Sequence, residues 1–179
     1  MMILIVLLEY CCGALMFSYW LGLIAKKDLT LVGDGNPGAF NLWHSAGFKF
    51  GLAGICLDFL KGYLPLVFFV ETGVVKGYSI ILIAIAPILG HAFSPFLKFK
   101  GGKAIAVTFG VWSALTRFEG ALVYAIIHAI LQVLARVINK GKPTSTETDG
   151  FHAVLGLLIL LIYLYLRHYP IEIVIFCFC

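Results

Sequence analysis

Two short glycine-rich stretches hold most of the residues able to do chemistry in this sequence. The first, Gly33-Asp34-Gly35-Asn36-Pro37-Gly38 with Asn41 just beyond, lets consecutive backbone N–H groups converge on an anion and adds two side-chain amides. Its GxGxxG spacing is not a dinucleotide fingerprint, because an apolar run and a polar link precede it where a Rossmann unit needs a strand. Alone, it reads better as a tight surface turn. The second, Lys98-Phe99-Lys100-Gly101-Gly102-Lys103, runs into an apolar segment starting near Ala104. Two glycines and a lysine at a helix amino end form an anion site by geometry and dipole together. It is no Walker A loop, since Ala104 stands where a metal-binding Ser or Thr belongs. Lys98 and Lys100 serve as well for membrane anchors.

These loops are set in lipid. With 61% hydrophobic and 12% charged residues among 179, the chain has too little polar surface to coat a globule. The expectation is an all-α, polytopic transmembrane bundle forming a single membrane domain over 1–179. It has about six full or partial helices, an incomplete seventh, and a half-helix at 104–115 too short to span. The apolar runs are 2–25, 50–70, 78–96, 104–115, 120–138, 151–166 and 171–179, and the stretches 26–49 and 139–150 read as loops. The first run has no cleavage site after it and is read as a retained helix. The net charge of +4 is scattered between spans rather than gathered into a basic patch, which argues against nucleic acid. Cys11, Cys12, Cys56, Cys177 and Cys179 lie in apolar segments without metal-ligand spacing, so no metal is expected.

Alternate loops are unequal in charge. One set holds Lys26, Lys27, Lys49, Lys98, Lys100, Lys103, Lys140 and Lys142, the other Lys76, Arg117 and Arg167. The positive-inside tendency makes the first set, with both glycine loops, cytoplasmic.

The stretches Gly33 to Asn41, Leu57 to Gly62 and Gly90 to Val107 together resemble the first two signature regions of the bacterial acyl-phosphate-dependent glycerol-3-phosphate acyltransferases (PlsY type). The resemblance covers most of Leu29 to Gly110. It implies a seven-helix enzyme of the bacterial inner membrane, without cofactor or metal. Such an enzyme moves a fatty acyl group from acyl phosphate to the 1-hydroxyl of glycerol 3-phosphate, making lysophosphatidic acid for phospholipid synthesis. Carried over, Lys103, Asn36 and His44 would act on the substrates. Gly33, Asp34, Gly35, Gly38, Asn41, Gly101 and Gly102 would bind phosphate, and His91, Asp58 and Lys61 would stand behind them. An activated acyl donor needs chiefly two held phosphates and a stabilised oxyanion, which lysine and N–H donors supply. No His is followed four residues later by Asp, the dyad of acyl-CoA-dependent acyltransferases.

The departures from the family pattern also carry expectations. Asp34 replaces a serine, Phe40 a threonine and His44 an arginine; a carboxylate only accepts hydrogen bonds and repels phosphate, and a neutral histidine is no fixed cation. Ala104 replaces a glycine, which reads as a minor change. Arg167-His168 resembles the start of the third signature but lacks its asparagine, and the loop count puts it on the opposite face. The run 171–179 then begins a last helix that stops inside the membrane, as in a fragment, a frameshifted copy or a diverged paralogue. Little acyl transfer is expected of such a chain. The alternatives are a catalytically inactive relative that binds a phosphorylated lipid precursor and a small transporter.

Overall fold

The computed structural model describes residues 1–142 and 144–179, with the side chain of Thr146 left out; Pro143, within the predicted 139–150 loop, lies outside the described residues. Those residues form helices and turns without strands. The helices are α1 (Met2–Ala14), α2 (Phe17–Ile24), α3 (Ala39–Ala46), α4 (Phe48–Glu71), α5 (Ser79–Ala92), α6 (Ile105–Thr116), α7 (Glu119–Ile138), α8 (Thr146–Leu166) and α9 (Ile171–Ile175). Five stretches are long and apolar enough to cross a membrane: 2–24, 48–71, 79–97, 119–138 and 147–166. The short α6 matches the expected half-helix, and the run 171–179 holds α9 and a 3-10 turn at Phe176–Phe178. The chain forms two compact units, Met1–Leu115 and Thr116–Cys179.

In the first unit, glycines set how closely the helices approach. In lipid no hydrophobic force pulls helices together, so contact depends on backbones meeting at small residues. A Cβ on Gly13 would lie 2.1 Å from the Pro87 carbonyl oxygen, and one on Gly90 would lie 2.2 Å from that of Tyr10, which fixes the α1–α5 crossing. Gly62 and Gly110 do the same for α4 and α6, against the carbonyl oxygens of Val107 and Phe59. Ser94 Oγ donates to the Ala14 carbonyl at 2.7 Å, tying the end of α5 to the end of α1.

Three expectations need correcting. The run 2–25 is two helices, because Leu15 takes an extended conformation (ψ 118°) between α1 and α2. The stretch 26–49 is not all loop: Asp28 caps a 3-10 turn at Leu29–Leu31, and α3 fills 39–46. The glycine punctuation concealed α3, which has only eight residues and buries Asn41 and Leu42. In the second unit, α8 starts near Thr146 rather than 151. Ser145 accepts from Thr148 N at 3.2 Å, and Glu147 and Asp149 sit in the first turn, where the helix dipole favours acids.

That unit is held by side chains between its helices. Asp149 Oδ1 accepts from Gln132 Nε2 (2.9 Å) and Thr144 Oγ1 (2.5 Å), and Tyr124 OH donates to the Ala153 carbonyl (3.2 Å). At the other end, Glu119 accepts from Tyr163 OH (2.6 Å), Arg167 Nε (3.1 Å) and Tyr169 OH (2.7 Å). Burial, reinforced by Glu119, pushes the Tyr169 phenol up to about 12. His168 follows α8 in the left-handed region (φ 57°), and Tyr169 N bonds back to the Leu164 carbonyl. His168 thus closes the helix and Arg167 anchors Glu119.

Candidate active site

The first glycine loop is organised by its own side chains. Gly33 and Gly35 have φ of 57° and 73°, a conformation that glycine adopts without cost. Asp34 Oδ1 accepts from Asn36 N (3.1 Å) and from Asn41 Nδ2 (2.9 Å). The Asn41 amide also reaches the carbonyls of Val32 (2.8 Å) and Asn36 (3.0 Å). Asn41, expected to contact phosphate, therefore spends its donors on holding the loop in shape. Asp34, placed by the resemblance among the phosphate binders and expected as a carboxylate to weaken the site, is the hub of that loop.

The second loop docks on the end of α5. Gly101 N donates to the Ala92 carbonyl (2.9 Å) and Gly102 N to that of His91 (3.2 Å). A Cβ on Gly101 would stand 1.8 Å from the His91 carbonyl oxygen. The two N–H groups expected to form an anion nest are thus committed to protein, and the glycines give close packing instead. Ala104 lies at φ 56°, just ahead of α6, so the alanine there is strained rather than a minor change.

The loops meet. Lys103 Nζ pairs with Asp34 Oδ2 at 2.7 Å, and Lys103 N donates to Asn36 Oδ1 at 3.2 Å. The hydrogen bond from Lys103, helped by those from Asn36 N and Asn41, holds the Asp34 carboxyl down at about 2. Beside this junction is a cavity of about 650 Å³. Asn36, His44, Asp58, His91 and Lys103 are the polar residues of its lining, and Phe40, Trp43, Ile55, Phe59, Ile105 and Phe109 the large apolar ones. The amino ends of α3 and α6 both reach it. The first N–H groups of a helix have no partner within it, and α3 has no side-chain cap. His44 also lines the cavity from α3, exposed, its ring centroid 4.5 Å from that of Phe40.

Behind the cavity lies a buried polar chain. Asp58 and Lys61, one turn apart on α4, pair at 2.8 Å with side chains only 2% exposed. Ser18 Oγ on α2 donates to Asp58 Oδ2 at 2.5 Å. Lys61 Nζ also donates to the Leu15 carbonyl freed by the α1–α2 break, and lies 2.8 Å from His91 Nδ1. Asp58 and His91 reach the cavity wall. Sequence reasoning singled out Asp58, Lys61 and His91 but missed Ser18, which looks like any small helical residue until Gly54 brings α2 against α4.

The family model for glycerol-3-phosphate acyltransferase matches residues 3–179 of the chain. The chain belongs to this family. Glycerol-3-phosphate acyltransferase 1 of Thermotoga maritima is 47% identical over 161 residues, covering 89% of this chain and 79% of the relative. The glycerol-3-phosphate acyltransferase of Endomicrobium trichonymphae is 35% identical over 141 residues, covering 78% and 70%. The crystal structure of PlsY, an integral membrane glycerol 3-phosphate acyltransferase, in its glycerol 3-phosphate form matches with a TM-score of 0.82 at 25% identity over 99% of this chain and 82% of that one. Membership in the acyltransferase family agrees with the resemblance carried by the two glycine loops and with the helical membrane fold.

Proposed function

We propose that this protein transfers a fatty acyl group from acyl phosphate to the 1-hydroxyl of glycerol 3-phosphate at the cytoplasmic face of the bacterial inner membrane. The observation that supports this best is one cavity with two characters. Its lining joins two helix amino ends, Asn36 and Lys103 with large aromatic and aliphatic side chains. Such a space suits a molecule with a phosphate at one end and a hydrocarbon at the other, as both acyl phosphate and lysophosphatidic acid have.

In the transfer, the hydroxyl oxygen bonds to the acyl carbon, and the bond from that carbon to the phosphate oxygen breaks. The hydroxyl proton is taken up by the departing phosphate. Negative charge develops on the acyl oxygen and on the leaving phosphate, and N–H donors with Lys103 oppose it without rearranging. The rest is positioning, since an acyl phosphate is already activated. The excess of lysine in the loops beside Lys49 and Lys100 supports the cytoplasmic orientation.

The test uses the purified chain in detergent or vesicles with palmitoyl phosphate and labelled glycerol 3-phosphate. Formation of lysophosphatidic acid, absent when palmitoyl-CoA replaces the acyl phosphate, is the expected result, against the little transfer that the departures from the family pattern led one to expect. Binding of glycerol 3-phosphate with no product would overturn the catalytic reading in favour of a non-catalytic phosphate binder.

A further inference from the structure

The buried chain behind the cavity has a property that the acyl-transfer reading does not use. A lysine ammonium has three N–H donors and no acceptor. Lys61 Nζ donates to the Leu15 carbonyl, is ion-paired with Asp58 Oδ1 and lies 2.8 Å from His91 Nδ1. Where the ion pair with Asp58 keeps Lys61 an ammonium, Nδ1 offers it a lone pair. The His91 proton therefore sits on Nε2, and the ring is neutral, since a second proton at Nδ1 would point at the ammonium.

The Nε2 end of the ring is also placed. It lies against Gly102, where an added Cβ would stand 2.4 Å from Nε2 and 3.3 Å from Asn36 Oδ1. The missing side chain of Gly102 leaves this end of the ring next to the Asn36–Lys103 junction. His91 is almost wholly buried yet contributes to the cavity wall. No protein acceptor for Nε2 is found among the described residues.

We propose that His91 is a substrate-contacting hydrogen-bond donor: a neutral imidazole, its tautomer fixed by Lys61, whose Nε2–H passes beside Gly102 to a phosphoryl oxygen of the anion held at Lys103. Lys61 is then a positioning residue acting through the ring. A neutral donor has a use here, because it stabilises negative charge on oxygen without surrendering its proton. The proposal rests on the phosphate-binding part of the acyl-transfer reading and not on turnover.

The experiment records ring nitrogen resonances of the full chain labelled with ¹⁵N-histidine in detergent at pH 7, with His91 assigned by comparison with His91→Gln. The expected state is a neutral ring protonated at Nε2, whose Nε2 resonance moves on addition of inorganic phosphate and, separately, of glycerol 3-phosphate. Gly102→Ala should abolish that response. A proton on Nδ1, an imidazolium, or no movement at saturating phosphate would overturn the proposal, and these readings are made on the parent chain, with His91→Gln needed only for the assignment. In kinetics, His91→Gln, whose amide nitrogen reaches nearly as far as Nε2, should hold the KM for glycerol 3-phosphate closer to the parent than His91→Asn. The Asn variant should lose about 10- to 100-fold in kcat/KM. Equal losses in both would make His91 merely structural. The expected shifts in a chain that makes no lysophosphatidic acid would support the contact and refute the catalytic reading separately.

Discussion

Asp34→Asn should tighten glycerol 3-phosphate binding. The asparagine keeps an oxygen where Asp34 Oδ1 accepts from Asn36 N and Asn41 Nδ2, so the loop retains its shape. What it loses is the charge on the oxygen paired with Lys103. Both partners of that pair are nearly half exposed (48% and 43%), which puts the pair in the range of about 0.2–1 kcal/mol. A phosphate held by Lys103 would sit about 5–6 Å from the carboxylate, where a unit charge pair in water repels by about 0.7 kcal/mol and a dianion by roughly twice that before screening. Together these give about 1–2 kcal/mol, or roughly a 5- to 30-fold fall in KM, shrinking as salt is added. Steady-state kinetics or calorimetric titration at low and high ionic strength would measure it. An unchanged or higher KM would refute competition between Asp34 and phosphate and leave Asp34 as part of the loop framework alone. The competition should not vary over the assay range. A carboxyl lowered to about 2 gives its ion-pair contribution above the ordinary carboxylate pKa and loses it only as pH falls through about 2.

Three further outcomes are expected. Lys103→Ala should raise the KM for glycerol 3-phosphate by about 10- to 100-fold and Lys98→Ala by far less, because only Lys103 joins a charge to the cavity edge; equal losses would indicate a diffuse basic rim. Ala104→Gly should stabilise the chain by about 0.5–1 kcal/mol in denaturant or thermal unfolding, since φ 56° strains alanine by more than the chain entropy glycine adds; a lower midpoint would show that the methyl group packs usefully. Single cysteines at 49 and 76, at opposite ends of α4, should be labelled from opposite sides of intact cells once the native cysteines are replaced, and labelling from one side would break the topology.

Much of this was legible in the sequence because lipid imposes a simple code. Spans show as long apolar runs, and α6 declared itself by being too short. The breaks were less visible. The α1–α2 interruption has no glycine or proline at Leu15 or Met16, and its cause is tertiary: the extended Leu15 gives its carbonyl to Lys61, forty-six residues on. The site residues could be found from the two loops, but not their division of labour. Glycine spacing announces an anion nest, yet whether an N–H is free depends on what docks beside it. Gly101 and Gly102 turn out to be bonded to α5, while the first turns of α3 and α6 line the cavity. The sign of Asp34 could be read from its residue type, but not its place at the centre of the first loop.

The triple engagement of Lys61 also bears on how the chain enters the membrane. Its acceptors come from three segments, Leu15 before α4, Asp58 within it and His91 after it. As α4 emerges during synthesis, Asp58 is available one turn away and Leu15 has already been inserted, but His91 is thirty residues behind. A lysine near the middle of a span opposes insertion by roughly 2.5–3.5 kcal/mol when unaided. The neighbouring carboxylate and the waiting carbonyl lessen that opposition, and α5 completes the set on arrival. Biogenesis of this region is thereby ordered: the lysine is quieted in two stages, and the second stage is the one that turns His91 toward the cavity.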